Sequence, residues 1–252
     1  MSSDTNLPTA AVLVIGNEIL SGRTQDVNVN AIAKKLGTIG IPVKEVRIVP
    51  DIESEIVAAL NALRARYTYI FTTGGIGPTH DDITVDAVAA AFGVKAIEHP
   101  QARALLAQYY GAEELTAARL RMARAPEGAD LIANPVSAAP GIKLANVYVM
   151  AGVPHIMQSM LDSLTPSLRQ GPKIYSRCVS ASIAESAIAE ALGDVAQRFP
   201  NIDIGSYPWI NQGKLGTALV ARGTDQEAVS KAADAITALV EAKGIEFTLS
   251  EG

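Results

Sequence analysis

The stretch TTGGIGPTHDDIT, residues 72–84, joins a short apolar segment to a helical pattern. Three glycines within positions 74–77 remove the side chains that would keep a ligand off the backbone, and they permit a positive φ where a tight turn requires it. Bare N–H groups at the start of a helix attract anionic oxygens. The stretch therefore predicts a strand-to-helix turn that cradles a phosphate or pyrophosphate on Gly74, Gly75 and Gly77.

Two adjacent acids, Asp81 and Asp82, follow these glycines at the predicted start of a helix. A bare carboxylate pair would repel a phosphate, so a divalent cation that prefers oxygen ligands, such as Mg²⁺, is expected between them. The structural alternative is a tight turn without a ligand, in which Asp81 caps the helix and Asp82 interacts with its dipole. The length and glycine content of the stretch favour ligand binding.

Strands alternate with helices over the longer, N-terminal part of the chain. Strands are predicted at residues 9–15, 43–49, 69–72, 130–133 and 142–150. Helices are predicted at residues 29–36, 52–63, 82–92, 101–124 with a break at Gly111, and 154–164, and Asp51 is expected to cap the second of them. This alternation predicts an α/β fold with a doubly wound, mostly parallel sheet and helices on both faces.

A change of pattern marks a second domain. Residues 165–173 contain two prolines, a glycine and two basic residues without periodicity, which indicates a boundary between domains at 1–168 and 173–252. Beyond it the predicted order is strand, helix, strand, strand, helix, strand. This βαββαβ order is typical of a small, ferredoxin-like α+β domain.

The loop after the first strand reads GNEILSG, from Gly16 to Gly22, and Gly16 and Asn17 are candidate ligand contacts. In doubly wound sheets ligands bind beyond the carboxyl ends of the strands, and the first and third strands commonly flank the change in strand order. Glu18 is therefore expected to approach Asp81 or Asp82 and to gather three carboxylates around one or two cations. The alternative is a solvated loop acid or a helix cap.

Two further loops are rich in small residues. NPVSAAPGI would let a flat ring or a ribose approach closely, although the same composition serves any tight connection; its candidate residues are Asn134, Ser137, Pro140 and Gly141. AGVP ends a strand and starts a helix, with Gly152 exposing backbone and Pro154 at the first helical position. These loops would complete a ligand pocket.

His80 lies inside the glycine–aspartate stretch. It could bind a metal, donate to a phosphoryl oxygen or act as a general acid, and it could equally be a turn residue near the helix start.

Composition, net charge and cysteine count limit the class of protein to which the chain can belong. Of 252 residues, 48% are apolar and 19% charged, which fits a globular protein and argues against disorder. A net charge of −5 predicts no broad surface for nucleic acid. One cysteine, Cys178, allows no intramolecular disulfide, and neither a signal peptide nor a membrane-spanning run is visible, so a cytoplasmic protein without a membrane partner is expected.

Taken together and in this order, GNEILSG, TQDVNVN, TTGGIGPTHDDIT, NPVSAAPG and AGVP resemble the motifs of the molybdopterin-binding-like domain family. That domain occurs in competence/damage-inducible proteins of the CinA type, in the N-terminal half of eukaryotic FAD synthase and, more distantly, in molybdopterin adenylyltransferases. GSYPW, residues 205–209, resembles FAD synthase in particular. The resemblance spans nearly the whole chain.

The resemblance implies an α/β domain that binds a nucleotide or pterin ligand, and a homo-oligomer is plausible on the same ground. Some relatives hydrolyse the pyrophosphate of FAD or ADP-ribose with a divalent cation, which here would be Mg²⁺, Mn²⁺ or Co²⁺. Carried over by position, the acidic, metal-linked group would be Glu18, Asp81 and Asp82, and the phosphate loop Gly74, Gly75, Gly77 and Thr79.

Two positions depart from the CinA-type pattern. Ala138 stands where those proteins usually have a threonine, and Ile156 where they often have a glutamate. A hydroxyl and a carboxylate are therefore missing, which puts hydrolysis in question.

The first hypothesis is a metal-dependent hydrolase of the pyrophosphate bond in a nucleotide cofactor, with Asp82, Asp81 and His80 as catalytic residues. The second is adenylyl transfer to molybdopterin, and the third is a nucleotide- or pterin-binding module without catalysis. The amidase of longer CinA proteins and the adenylyl-transferring half of FAD synthase are not expected, so neither nicotinamide mononucleotide deamidation nor FAD synthesis is expected.

Overall fold

The computed structural model describes residues 7–211 and 213–251. The chain divides into two compact units, Met1–Gly171 and Pro172–Gly252. No helix in these described ranges is long and apolar enough to cross a membrane.

Unit 1 alternates strands and helices as the sequence predicts. Its strands are β1 (Ala10–Ile15), β2 (Val43–Val49), β3 (Tyr69–Thr73), β4 (Ala96–Glu98), β5 (Arg124–Pro126), β6 (Asp130–Ile132), β7 (Gly141–Leu144) and β8 (Val147–Met150). Its helices are α1 (Asn17–Leu20), α2 (Asn28–Thr38), α3 (Glu53–Arg64), α4 (Thr84–Phe92), α5 (Pro100–Tyr110), α6 (Ala117–Arg121) and α7 (Pro154–Leu164), with short 3₁₀ turns at Ala112–Glu114 and Thr165–Ser167.

The main sheet of unit 1 has six strands in the order β2-β1-β3-β8-β7-β6. The β2, β1, β3 and β8 strands run parallel, and β7 and β6 are antiparallel to their neighbours. The chain passes from β1 to β2 on one side and then returns to β3 on the other, so the order changes between β1 and β3. The predicted doubly wound α/β fold is confirmed, and in folds of this kind ligands bind beyond the carboxyl ends of the strands.

The six residues of β1 are all buried, which is why the segment reads as a continuous apolar run. Its alternate side chains enter two separate cores. Leu13 and Ile15 pack with α3 and α4 on one face, whereas Val12 and Val14 pack with α2 and α7 on the other. This double burial holds the strand rigidly, and the loop that follows it starts from a defined position.

Two details of unit 1 differ from the sequence prediction. Residues 142–150 form a hairpin of β7 and β8, not one strand, because Ala145 adopts a left-handed φ of 50° and the Asn146 side chain donates to the carbonyls of Arg64 and Tyr67. The small antiparallel pair of β4 and β5 was not predicted either. Both depend on contacts between residues far apart in sequence.

Unit 2 contains β9 (Tyr175–Ala181), α8 (Ala189–Arg198), β10 (Asp203–Asn211), β11 (Lys214–Gly223), α9 (Gln226–Glu241) and β12 (Phe247–Glu251). Its antiparallel sheet has the order β10-β11-β9-β12, and the predicted βαββαβ order is observed. Residues of α8 and α9 pack with β9 and β11 in a single core. A 3₁₀ turn at Glu185–Ala187 precedes α8.

Glycines allow three strand ends of unit 1 to meet more closely than a side chain would permit. Gly74 follows β3 with a φ of 102°, and a Cβ placed on it would lie 2.1 Å from the carbonyl oxygen of Ile15. A Cβ on Gly152, which follows β8, would lie 3.2 Å from Gly74 Cα. The loops that follow β1, β3 and β8 therefore begin in close contact with one another.

We predict that Gly74→Ala lowers the free energy of unfolding by roughly 3 kcal/mol or more, since the methyl group meets both a backbone clash and a left-handed φ. Gly93→Ala is the matched control, because Gly93 also has a positive φ, 68°, but no atom lies within 4 Å of its Cβ position. It should cost only about 1–2 kcal/mol. Urea denaturation followed by circular dichroism measures both, and equal losses would contradict the proposed clash.

Candidate functional site

The loop after β3 is closed at its base by Thr84, the first residue of α4. The Thr84 backbone N–H donates to Gly75 O at 3.0 Å, and its hydroxyl donates to Gly74 O at 2.9 Å. A Cβ on Gly75 would lie 2.2 Å from the Thr84 hydroxyl oxygen. Thr84 is fully buried and was not singled out from the sequence, although it ends the motif.

The carboxylates of both aspartates in the motif accept hydrogen bonds from Thr79. The Thr79 N–H donates to Asp82 Oδ2 at 2.8 Å, and the Thr79 hydroxyl oxygen lies 2.6 Å from both Asp81 Oδ1 and Asp82 Oδ2. The part of the structural alternative that makes Asp81 the helix cap is therefore wrong. The helix begins at Thr84 and has no side-chain cap, and Asp81 belongs to the preceding turn.

A single hydroxyl proton faces two carboxylates in this turn. The bond from the Thr79 hydroxyl is the main reason why the pKa of Asp81 lies below its ordinary value. The backbone N–H of Asp81 lowers this pKa further, with smaller contributions from the charges of His80 and Arg121. Arg121 also donates to Asp82 O at 3.2 Å, a contact that nothing in the local sequence indicates.

The loop after β1 is held by a residue that was expected to cap a helix. Asp51 Oδ2 accepts from the Asn17 N–H at 2.8 Å, and α3 has no side-chain cap, so the predicted cap at Asp51 is wrong. The carboxylate of Glu18 folds back over the preceding glycine, since a Cβ on Gly16 would lie 2.5 Å from Glu18 Oε1. Gly16 therefore makes room for Glu18.

The three acids are not gathered around one point. Within residues 7–211 and 213–251, no group of three His, Cys, Asp or Glu side chains is placed to hold a metal ion. Among the described residues, the expected cluster of Glu18, Asp81 and Asp82 is therefore not preformed, and its binding of a cation stays a prediction. The physical reason is local: the aspartates are engaged by Thr79, and Glu18 lies over Gly16.

A pocket of about 520 Å³ nevertheless joins Glu18 and Asp82 at the carboxyl ends of the strands. Its backbone surface comes from Gly74, Gly75, Gly77 and Gly152, and its polar side chains are Glu18, Thr24, Asp82, Asn134 and Ser137. Its apolar wall contains Ile76, Met122, Val153, Ile156 and Met160. The pocket therefore has a polar, glycine-rich part beside an apolar part.

Nine of the residues singled out from the sequence line this pocket: Glu18, Gly74, Gly75, Gly77, Asp82, Asn134, Ser137, Gly152 and Pro154. The other seven are not among its lining residues: Gly16, Asn17, Thr79, His80, Asp81, Pro140 and Gly141. His80 is 99% exposed, with Nδ1 4.0 Å from Asp81 Oδ1. Its ring faces solvent, outside the pocket.

Asn134 organises its own loop. Its amide nitrogen donates to the Ser137 hydroxyl and to Ala139 O, both at 2.7 Å, and its amide oxygen accepts from the N–H groups of Val136 and Ser137. Ala138, at the position of the missing hydroxyl, has a left-handed φ of 58°. The loop thus places Ser137 at the pocket without help from that residue.

The start of α2 also reaches the site. Asn28 is 5% exposed, and its amide nitrogen donates to Gly152 O at 2.7 Å, which ties α2 to the loop after β8. The motif TQDVNVN contains Asn28 and could have indicated it. Thr24, Ile76 and Met122 were likewise missed, because their role depends on how separate loops pack.

A larger hollow of about 830 Å³ lies in unit 2, lined by Ser180, Trp209 and Thr248 among others. It is wide open and brings none of the glycine or aspartate motifs together. The unit 1 pocket is therefore the candidate site.

Unit 1 is by fold an α/β domain, with a glycine-lined pocket at the change in strand order. Residues 11–170 match the family model described as a probable molybdopterin binding domain, and the chain belongs to this family. Residues 173–248 match the model of the FAD synthase middle domain.

Individual relatives agree with this assignment. A CinA-like protein from Desulfosudis oleivorans is 35% identical, over 78% of this chain and 51% of its own length. A probable FAD synthase from Caenorhabditis briggsae is 29% identical, over 88% of this chain and 47% of its own. The crystal structure of the protein CinA from Thermoplasma acidophilum, described as of unknown function, is 34% identical with a TM-score of 0.61, over 65% of this chain and 99% of that one.

We predict that Thr79→Val raises the pKa of Asp81 towards its ordinary value, because the hydroxyl bond is the largest cause of its lowering. His80→Ala, which removes a weaker contribution, should raise it less. A lowered pKa in the folded state stabilises the protein above the unfolded-state pKa, and this stabilisation is lost as the pH falls through the folded-state value. NMR titration of the Asp81 carboxyl carbon measures both shifts; a larger effect of His80→Ala would contradict the ranking.

Proposed function

We propose that this protein hydrolyses the pyrophosphate bond of a nucleotide cofactor of the FAD or ADP-ribose type, with a divalent cation. The observation that carries the proposal is the two-part pocket, in which Asp82 and the glycine loop lie beside an apolar wall. A dinucleotide has the same division, since a charged bridge connects flat rings.

The glycine loop is suited to bind the pyrophosphate bridge of a dinucleotide. Gly74, Gly75 and Gly77 bring backbone rather than side chains to the pocket surface, and backbone N–H groups bind phosphate oxygens without adding charge. A Cβ on Gly77 would lie 2.7 Å from Asp82 Oδ2, so this glycine also leaves room for the carboxylate. The Thr79 N–H bond then fixes the direction of that carboxylate.

A divalent cation fits the residues present, although the described residues form no three-acid cage. Mg²⁺ is usually held by one or two carboxylates together with substrate phosphates and water. Asp82 and Glu18, which both line the pocket, are the residues that would hold it. When bound, such a cation offsets the charge of the bridge and polarises an attacking water.

The apolar wall of the pocket is suited to pack against an aromatic ring of the ligand. Met122, Val153 and Ile156 would cover a flavin, purine or pterin face and exclude water from that end of the ligand. The match of unit 2 to the FAD synthase middle domain favours a flavin or adenine nucleotide. Asp81 and His80 stay predicted catalytic residues, and their use requires the turn at Thr79 to move towards the ligand.

A second candidate is a binding module without catalysis. Ala138 and Ile156 replace a hydroxyl and a carboxylate that relatives of the CinA type usually carry, and Ile156 lines the pocket. In that case a nucleotide would raise the melting temperature by mass action, and no product would form.

The deciding experiment incubates the protein separately with FAD, ADP-ribose and coenzyme A, each with Mg²⁺, Mn²⁺ or Co²⁺, and analyses the products by mass spectrometry. Release of AMP from FAD or ADP-ribose supports hydrolysis. Stabilisation by these nucleotides without product supports the binding module. A parallel incubation with ATP and molybdopterin, if it gives an adenylylated pterin, would assign the protein to adenylyl transfer instead.

We predict that Asp82→Asn lowers the turnover by about 10²-fold or more, because the amide keeps the bond from the Thr79 N–H but loses the charge that the cation needs. The melting temperature should change little. Glu53→Gln, at an exposed position of α3 outside the pocket lining, is the control and should keep full turnover. Full hydrolysis by Asp82→Asn would remove this residue from the mechanism.

A further inference from the structure

A second, smaller hollow of about 70 Å³ adjoins the main pocket at the start of α2. The two cavities share Glu18, Thr24, Gly74, Gly152 and Pro154 in their linings. Residues that line only the smaller one include Gln25, Asp26 and Asn28, from the TQDVNVN motif. The shared residues place the hollow directly beside the main pocket.

The hollow contains a buried acceptor without a partner. Asn28 is 5% exposed and uses its amide nitrogen for Gly152 O, whereas its Oδ1 has no hydrogen-bond partner. A buried polar atom without a partner costs about 1–3 kcal/mol, and native proteins avoid it unless water or a ligand completes the bond. Water, or a ligand group that brings a hydrogen-bond donor, would complete this bond.

Charge and size restrict that donor further. Glu18 and Asp26 line the hollow, and no cationic side chain is among its described lining residues, so a phosphate would be repelled. A cavity that holds an aromatic ring measures about 150 Å³, which is more than the hollow offers. A hydroxyl group fits, because it donates to an acceptor, carries no charge and is small.

We propose that this hollow is a subsite for a sugar hydroxyl of the bound nucleotide, and that Asn28 Oδ1 accepts the hydroxyl proton. The phosphate end of the ligand then lies towards Gly75 and Gly77, and the ribose towards α2. The inference rests on the proposed function only for the class of ligand, a nucleotide, and not for hydrolysis. Asn28 acts here as a specificity-determining residue that contacts the ligand and does not take part in bond cleavage.

The test compares AMP with 2′,3′-dideoxyadenosine monophosphate by isothermal titration calorimetry with the full chain in the presence of Mg²⁺. The expected result is about tenfold tighter binding of AMP, equivalent to about 1.4 kcal/mol. Asn28→Ala should reduce this ratio to about one. Asn30→Ala, at an exposed position of the same helix, is the matched control and should keep it.

The wild-type comparison is decisive even if Asn28→Ala does not fold. Equal affinities for the two nucleotides, or no binding of AMP, would overturn the proposal, and so would an unchanged ratio in a folded Asn28→Ala protein. Stabilisation by Mg²⁺ alone that Asn28→Ala abolishes would assign the hollow to a cation and overturn it as well. Failure of hydrolysis would leave the AMP preference in place, so the two proposals can fail separately.

Discussion

The site depends on a close approach between backbone segments that leaves no room for a side chain at Gly74 or Gly152. Gly74 lies against the Ile15 carbonyl, and Gly152 lies against Gly74, at the ends of three neighbouring parallel strands. Because each strand is buried on both faces, its end cannot move away to relieve a clash. The segments that carry Glu18, Asp82 and Pro154 consequently begin close together at one edge of the sheet and line the same pocket.

Local hydrogen bonds then determine where the charges lie. Thr79 brings both aspartates to one hydroxyl, whereas Glu18 lies over Gly16, so the described residues form no group of three acids that could hold a metal ion. Three carboxylates brought together in a partly dry pocket would repel each other by several kcal/mol unless a cation were present. An arrangement in which Glu18 does not join the aspartates avoids part of this repulsion, and under the proposed function a cation would be held jointly with the phosphates of a ligand.

The architecture could be derived from the sequence because its determinants are local or periodic. The apolar run of β1 and the proline that opens α7 specify their elements directly. The site was predicted less completely, since side-chain direction depends on partners far along the chain. Asp51 turns to the Asn17 N–H, 34 residues away, and Asn28 to Gly152 O, 124 residues away. Rules based on the spacing of nearby residues do not predict contacts over such sequence separations.

The two departures from the CinA-type pattern act in different ways. Ile156 in place of a glutamate means one negative charge fewer in the pocket wall, which would lower the repulsion of the diphosphate that the proposed function places there. The same change extends the apolar surface offered to a ring. Ala138 is compatible with the loop because Asn134 already bonds to Ser137 and Ala139. With no acid at position 156, the carboxylates that line the pocket are Glu18 and Asp82, and the proposed cation site rests on these two side chains.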